Sequence, residues 1–275
     1  MGGNDSLLNT GTGMWVMLAL LAAATAVVAS RFLMLPARAI LLAVVRALAQ
    51  MILVALLISQ VSRSPGLTAA FLVLMFTIAI LTSTRRIGTL SWWVPTVAMA
   101  GGVLPVLALM LAFGVLPFSP LAMIAVAGQL IGGAMSAVNL AGRRLHQELE
   151  QRGGEVEAAL ALGFGMRDAR SLVARPVAAE ALLPGLDQTR TVGTVTLPGA
   201  FVGLVLGGAS PLEAGLVQLI VLVNLMAVQA VAVSLLAELI DRRVGVRAAP
   251  ASRAARSARR SAPPAGPRAA RSSAR

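Results

Sequence analysis

Seven predominantly apolar runs decide what this chain can fold into: residues 14–30, 40–61, 67–81, 94–116, 121–141, 192–208 and 216–240. Most approach the ~20 residues with which an α-helix crosses the ~30 Å hydrocarbon core of a bilayer. A segment in lipid must satisfy its own backbone polar groups, and a helix does so within one run. With 57% of residues hydrophobic and 12% charged, the chain is expected to bury itself in lipid. The expectation is an all-α polytopic membrane protein of about seven transmembrane helices. The first run lacks the basic residues that precede the apolar stretch of a signal peptide, and arginine follows it instead, so it reads as a true span.

Charge then sets orientation. All 23 basic residues are arginine, and 21 of them fall after the first, third, fifth and seventh runs. Arg63 lies alone on the other side, and Arg46 lies inside the second run. Arginine is retained on the cytoplasmic side, so a short external N-terminus (1–13), a transmembrane domain (14–241) and a cytoplasmic tail (242–275) are expected. The location is the plasma or inner membrane. The tail alternates Arg, Ala, Ser and Pro and should be disordered. The net charge of +12 follows from this topology, not from nucleic-acid binding.

Absences narrow the function. There is no cysteine, hence no thiolate metal site. There is no lysine, hence no Walker loop, G-x-x-x-x-G-K-[ST], so any ATP and Mg that drive the protein belong to another chain. No serine in the apolar runs has a base near it in sequence, H-E-x-x-H is missing, and no carboxylate pair lies at mid-membrane depth. No catalytic residues, metal ligands or bound cofactors are assigned.

Polar and small residues inside the runs are candidates for the translocation path or for helix packing. Arg46 and Gln50, at i and i+4, share one face of the second run; Arg46 either snorkels to the boundary or faces the interior. The fifth run carries Gln129, Gly132, Met135 and Asn139 and a small-residue face of Gly128, Gly132 and Ser136. The sixth carries Pro198, a source of a kink, and Gly199, Gly203 and Gly207 at four-residue spacing. These two small faces are expected to pack together or to form a dimer. Gln218, Asn224 and Gln229 in the seventh run read as interhelical hydrogen-bonding groups.

Between the fifth and sixth runs lies an island, 142–190, with seven of the eleven acidic residues and the single histidine, His146. Gly153-Gly154 breaks the chain, residues 155–162 suit a helix, Gly163 can end it in the left-handed conformation, and residues 166–174 suit a second helix before Pro176. Glu157-Ala158-Ala159, Gly163, Val173 and Pro176 resemble the "EAA" loop of ABC-transporter permeases, E-A-A-x3-G-x9-I-x-L-P, with Val173 for isoleucine and Arg175 for leucine. In those permeases the loop docks on the ATP-binding subunit, which makes Glu157, Ala158, Ala159, Gly163 and Pro176 the implied coupling residues.

A second resemblance covers about residues 14–241. The stretches R-A-L-A-Q at 46–50, G-Q-L-I-G-G-A-M at 128–135, T-V-G-T-V-T-L-P-G-A at 191–200 and G-G-A-S-P-L-E-A at 207–214 are similar to the FetB-type permease family, which includes bacterial iron-export permeases and plant aluminium-tolerance relatives. The resemblance implies the membrane subunit of an ATP-driven ABC exporter, with iron or another metal as substrate, paired with a separate ATP-binding subunit and forming a homodimer in the lipid bilayer. The alternative is a channel or secondary transporter without an ATPase.

Overall fold

The computed structural model describes residues 11–242. The expectations for residues 1–10 and for the tail beyond Arg242 lie outside the described residues. Within them the chain forms ten helices and no strands: α1 Thr12–Phe32, α2 Ala37–Val61, α3 Pro65–Ile87, α4 Trp93–Ala112, α5 Pro120–Gln151, α6 Gly153–Ala161, α7 Met166–Glu180, α8 Leu183–Thr191, α9 Gly199–Leu206 and α10 Pro211–Asp241. Six of these, α1 to α5 and α10, are long and apolar enough to cross a membrane. The chain is a polytopic, all-α membrane protein.

It divides into two compact units, with the boundary inside α3 between Ala69 and Ala70. In the first, α1 packs on α2, joined through Met34 at φ 55° and Pro36, whose fixed φ suits the entry to a helix. No side chain of α2 is buried; a helix apolar on nearly all faces is at home in a membrane. Thr68 donates its hydroxyl to the Val61 carbonyl at 3.0 Å and so ties the α2–α3 turn.

The second unit is built around α10, which packs most extensively on α4 and α5. Both long helices start from designed caps. The Ser119 hydroxyl accepts from the Ala122 amide ahead of α5, with Pro120 in the first turn. Ser210 and Glu213 form a reciprocal capping box ahead of α10, which satisfies two otherwise orphaned amide donors. Small residues then bring the backbones together. A Cβ at Gly102 of α4 would lie 2.6 Å from the Val228 carbonyl and 3.2 Å from the Ala232 Cβ of α10. In lipid, where burial from water adds nothing, such close van der Waals contact is what holds helices to one another. Met99, Leu130, Val138, Leu145, Val228 and Leu236 fill the space between.

Two expectations change. The sixth run, 192–208, is not one helix. Only Gly199–Leu206 is helical there, and eight residues rise about 12 Å, far short of the hydrocarbon core. Pro198 removes a backbone donor, Gly193 and Gly208 take φ of 81° and 95°, and the run breaks at both. The polar stretch 183–191, counted with the island, instead forms α8 alongside α10: Thr189 meets Met226, and Gly185 lies against the Gln229 amide. Further on, Phe201 approaches Gly215. Segments α8, 192–198 and α9 thus run antiparallel to α10 from the level of Gln229 to that of Gly215, as one discontinuous pass. The second change is at Pro176, which does not end its helix; α7 continues through it to Glu180.

Candidate functional site

Two features concentrate the unusual chemistry. The first is the α5–α7 end. The helix α5 runs 32 residues, about 48 Å, so its last turns project beyond the apolar span. There Val156 and Ala159 of α6 and Ala169 and Val173 of α7 form a small core of their own. The turn joining α6 to α7 is closed by Phe164 N–H to the Ala159 carbonyl at 3.1 Å and Gly163 N–H to that of Leu160 at 3.0 Å. With Gly163 at φ 91° this is a Schellman ending, which needs a residue without a Cβ penalty. The tip leaves Leu162 80% and Phe164 47% exposed.

Ion pairs hold this end in place. Arg167 of α7 donates through Nε and an Nη to the two carboxylate oxygens of Glu238 at 2.8 and 2.9 Å. Arg170 reaches the Ile240 carbonyl at 3.1 Å, and Arg144 of α5 meets Glu180 at 2.8 Å. Arg152 and Glu155 pair at the head of α6; their hydrogen bond raises the arginine's pKa and lowers the carboxylate's. Exposed pairs of this kind contribute little to stability, because water screens them. Their value is geometric, since they link the turn to the far ends of α5 and α10.

Of the coupling residues, Glu157 and Ala158 are exposed on α6, Ala159 is buried against α7, Gly163 makes the turn, and Pro176 stands exposed on α7 fifteen residues from Ala161. All five therefore lie on one helical hairpin, three on α6, Gly163 at the turn and Pro176 on the second arm.

The second feature is the discontinuous pass. Its break is not frayed: the Thr191 carbonyl accepts from the amides of Thr194, Val195 and Thr196, and Gly193 N–H donates to the Thr196 carbonyl at 2.9 Å. No side chain caps α9. Added Cβ atoms at Gly199 and Gly203 would meet nothing within 4 Å, and one at Gly207 would meet only the carbonyls of Gly203 and Leu204 in its own helix. The small face of α9 is therefore open, and it does not pack on α5 as expected; α9 packs on α10. On α5, Gly128 lies against Met75 of α3 and Gly133 against Leu225, while Gly132 meets nothing.

The remaining candidates scatter. Arg46 and Gln50 are exposed on α2, Gln129 is exposed on α5, and Met135 packs at the edge of the core. Asn139 is 2% exposed, and neither of its amide atoms has a partner among the described residues. No group of three or more histidine, aspartate or glutamate side chains capable of holding a metal occurs among the described residues. Sequence reasoning passed over Gly102 and Gly185, whose signal was a glycine facing a polar or backbone group that only the fold reveals. It treated Gln218 as an ordinary bonding amide, whereas Gln218 Oε1 is buried without a partner among the described residues.

Fold and site together define a polytopic helical membrane protein with a tightly crossed three-helix core, one broken pass and a helical hairpin projecting from its end. The chain belongs to the uncharacterised protein family UPF0014, whose model matches residues 13–244. It is 39% identical over 138 residues to the UPF0014 membrane protein STAR2 of Oryza sativa subsp. japonica, covering 50% of this chain and 48% of that protein. It is 32% identical over 131 residues to the probable iron export permease protein FetB of Escherichia coli K12, covering 48% and 51%. With the membrane protein YjkA of Bacillus subtilis it shares 25% identity over 191 residues, 68% of this chain and 76% of that one. The chain spans about half the length of the first two of these relatives. No solved structure matches it.

Proposed function

We propose that the chain is the membrane subunit of an ATP-driven transporter, docking a separate ATP-binding subunit through the α6–α7 hairpin. The observation that carries the reading is the hairpin tip. An apolar pair, Leu162 and Phe164, is held out of the protein on a left-handed glycine beside exposed Glu157. Water penalises such a tip unless a partner covers it. The hairpin's second arm is tied to the ends of α5 and α10, so a displacement there reaches the bundle. ATP and Mg would bind the partner. Coupling requires that the two nucleotide states of that partner contact the hairpin differently.

The arginine distribution supports a cytoplasmic hairpin and C-terminus and an external N-terminus. The seven passes this needs would be made by the six long helices together with the discontinuous α8–α9 segment. The open Gly199 and Gly203 face supports pairing of two copies. Iron as cargo rests on the name of the Escherichia coli relative; another relative is named ALUMINUM SENSITIVE 3, from Arabidopsis thaliana. A channel or secondary transporter would need ionisable groups at depth for ion coupling; of the six long helices only α2 carries one well inside its apolar run, Arg46, while α8 brings Asp187 and Arg190 alongside α10.

The test is capture of an ATP-binding subunit by the tagged chain, followed by ATPase rates in membranes. Glu157→Lys should leave membrane abundance near that of the parent but lower capture and stimulated ATPase at least several-fold. Parent-like values for this variant would move the docking site elsewhere, for example to Arg85-Arg86.

A further inference from the structure

The arginines of the second compact unit fall into two groups. Arg144, Arg152, Arg167, Arg190 and Arg242 are each paired with a carboxylate, and Arg170 and Arg175 lie in the field of Asp241. Arg85, Arg86 and Arg143 are exposed, and none of the three has a carboxylate partner among the described residues. Arg143 donates its Nε to the Asn139 carbonyl at 3.3 Å, which leaves both of its Nη groups for other acceptors.

The fold brings two of these together. Met75 lies against Gly128 and Ile87 against Gly142, so α3 and α5 run in the same direction. In such a pair, the residue before a contact on one helix and the residue after it on the other emerge on the same side of the seam, as g and e positions do in a parallel coiled coil. For the contact of Ile87 with Gly142 those residues are Arg86 and Arg143. Arg85 continues the exposed stripe of Leu74, Ile78 and Leu81 at helical spacing. Arg86 stands about 32 Å along α3 from Pro65, and Arg143 about 35 Å along α5 from Pro120, at 1.5 Å per residue. Both therefore emerge one hydrocarbon thickness from the start of their helices, at the level of the headgroups. Trp92, 61% exposed just past the end of α3, is the kind of ring that sits at this boundary.

We infer that Arg86 and Arg143, with Arg85 beside them, bind the phosphate of an anionic phospholipid, whose acyl chains lie along the exposed stripe of α3. Like charges side by side at the edge of lipid repel, since the low dielectric strengthens their interaction. At the junction of α7 and α10 that problem is met by an acid, Glu238, which joins Arg167 and Arg242. At the junction of α3 and α5 no side chain plays this part, and a phosphate held between Arg86 and Arg143 does so instead. A guanidinium presents paired N–H donors that match phosphate oxygens, and basic sites between transmembrane helices hold anionic headgroups. Phosphatidylcholine carries the same phosphate with a cation attached, so it competes poorly. The inference goes beyond the permease reading and involves no ATPase, so a failed partner capture would leave it standing.

The probe is phosphatidylglycerol with a diazirine near the glycerol end of one acyl chain, set against phosphatidylcholine carrying the same group. Each is placed at equal mole fraction in phosphatidylcholine nanodiscs holding the purified full chain, and labelled residues are located by mass spectrometry. Phosphatidylglycerol is expected to label Leu81 and Leu140, one turn from Arg85 and Arg143, about fivefold more than phosphatidylcholine does, or better. The double variant Arg86→Gln/Arg143→Gln should lower that labelling to the phosphatidylcholine level, and Arg143→Gln alone should lower it in the same direction. Arg259→Gln/Arg260→Gln, which removes the same charge from the tail, should label Leu81 and Leu140 as the parent does. A parent-like melting temperature in phosphatidylcholine alone establishes that each variant is folded. Excess inorganic phosphate, compared with chloride at the same ionic strength, should leave labelling unchanged. Equal labelling by the two lipids, undiminished labelling of the double variant, or an equal loss in the tail variant would each overturn the proposal. Displacement by inorganic phosphate would do so too, by showing a site for a free anion instead of a lipid.

Discussion

Glycine has opposite uses in the α4–α10 crossing and in the α8–α9 pass. At Gly102 it lets two backbones touch, and any side chain would strike the Val228 carbonyl. At Gly199 and Gly203 it faces open space, where an added Cβ would meet no neighbouring atom of the described residues within 4 Å. The regular spacing in α9 was the more conspicuous pattern, yet the closer internal contact belongs to the plainer Gly101-Gly102 pair. Spacing reports that a face is small. What occupies that face is decided by the rest of the fold, or by another chain.

Substitutions can break this contrast, the largest effect coming first. Gly102→Leu should prevent α4 from approaching α10, because a fixed carbonyl cannot move aside as a side chain can. Overpacking costs about 1–3 kcal/mol or more, and folded yield after detergent extraction should fall at least tenfold. A normal yield would mean that the crossing is looser than described. Gly185→Val comes next, since its side chain must displace the flexible Gln229 amide. A loss of about 1–2 kcal/mol, in the ordinary range for a strained site, should appear as a lowered melting temperature with insertion retained.

Gly163→Val sharpens the comparison from a third position. Its φ of 91° penalises a β-branched residue by about 1–2 kcal/mol, but the strain is confined to the hairpin tip. Abundance should remain near that of the parent while capture of an ATP-binding subunit drops. Gly203→Leu should have the smallest effect on the isolated chain, within ~0.5 kcal/mol. Its effect should appear in pairing, as a shift toward single copies in nanodisc photobleaching counts that Val205→Leu does not produce. A chain destabilised by Gly203→Leu would show that the stripe is packed internally after all.

The long helices were legible because lipid imposes one rule on every residue of a span, so apolar runs at 40–61, 94–116 and 216–240 mark α2, α4 and α10 directly. Their ends were less so. Helix α10 starts at Pro211, five residues before its apolar run, because Ser210 and Glu213 cap it, a polar signal that a hydropathy reading discards. The run 192–208 misled for the converse reason. Threonine, valine and leucine make it apolar enough to span, while Gly193 and Pro198 deny it a continuous backbone ladder. Helix α8 was hidden because Asp187, Gln188 and Arg190 mark it as polar, although Gly185 and Thr189 give it a face that fits α10. The hairpin was readable from Gly153-Gly154, Gly163 and the spacing of Glu157, Gly163 and Pro176. Gln218 was not, since only packing determines which buried amide lacks a partner.

The discontinuous pass also bears on how the protein is made. A nascent segment enters the bilayer as a helix when it offers roughly 20 apolar residues at once, and isolated helices shorter than ~12 residues are marginal. Neither α8 nor α9, at nine and eight residues, meets that requirement alone. Their stable partner, α10, leaves the ribosome after them. The pass is therefore expected to wait at the membrane surface and enter as a hairpin with α10, so that a helix synthesised later completes the topology of the segment before it.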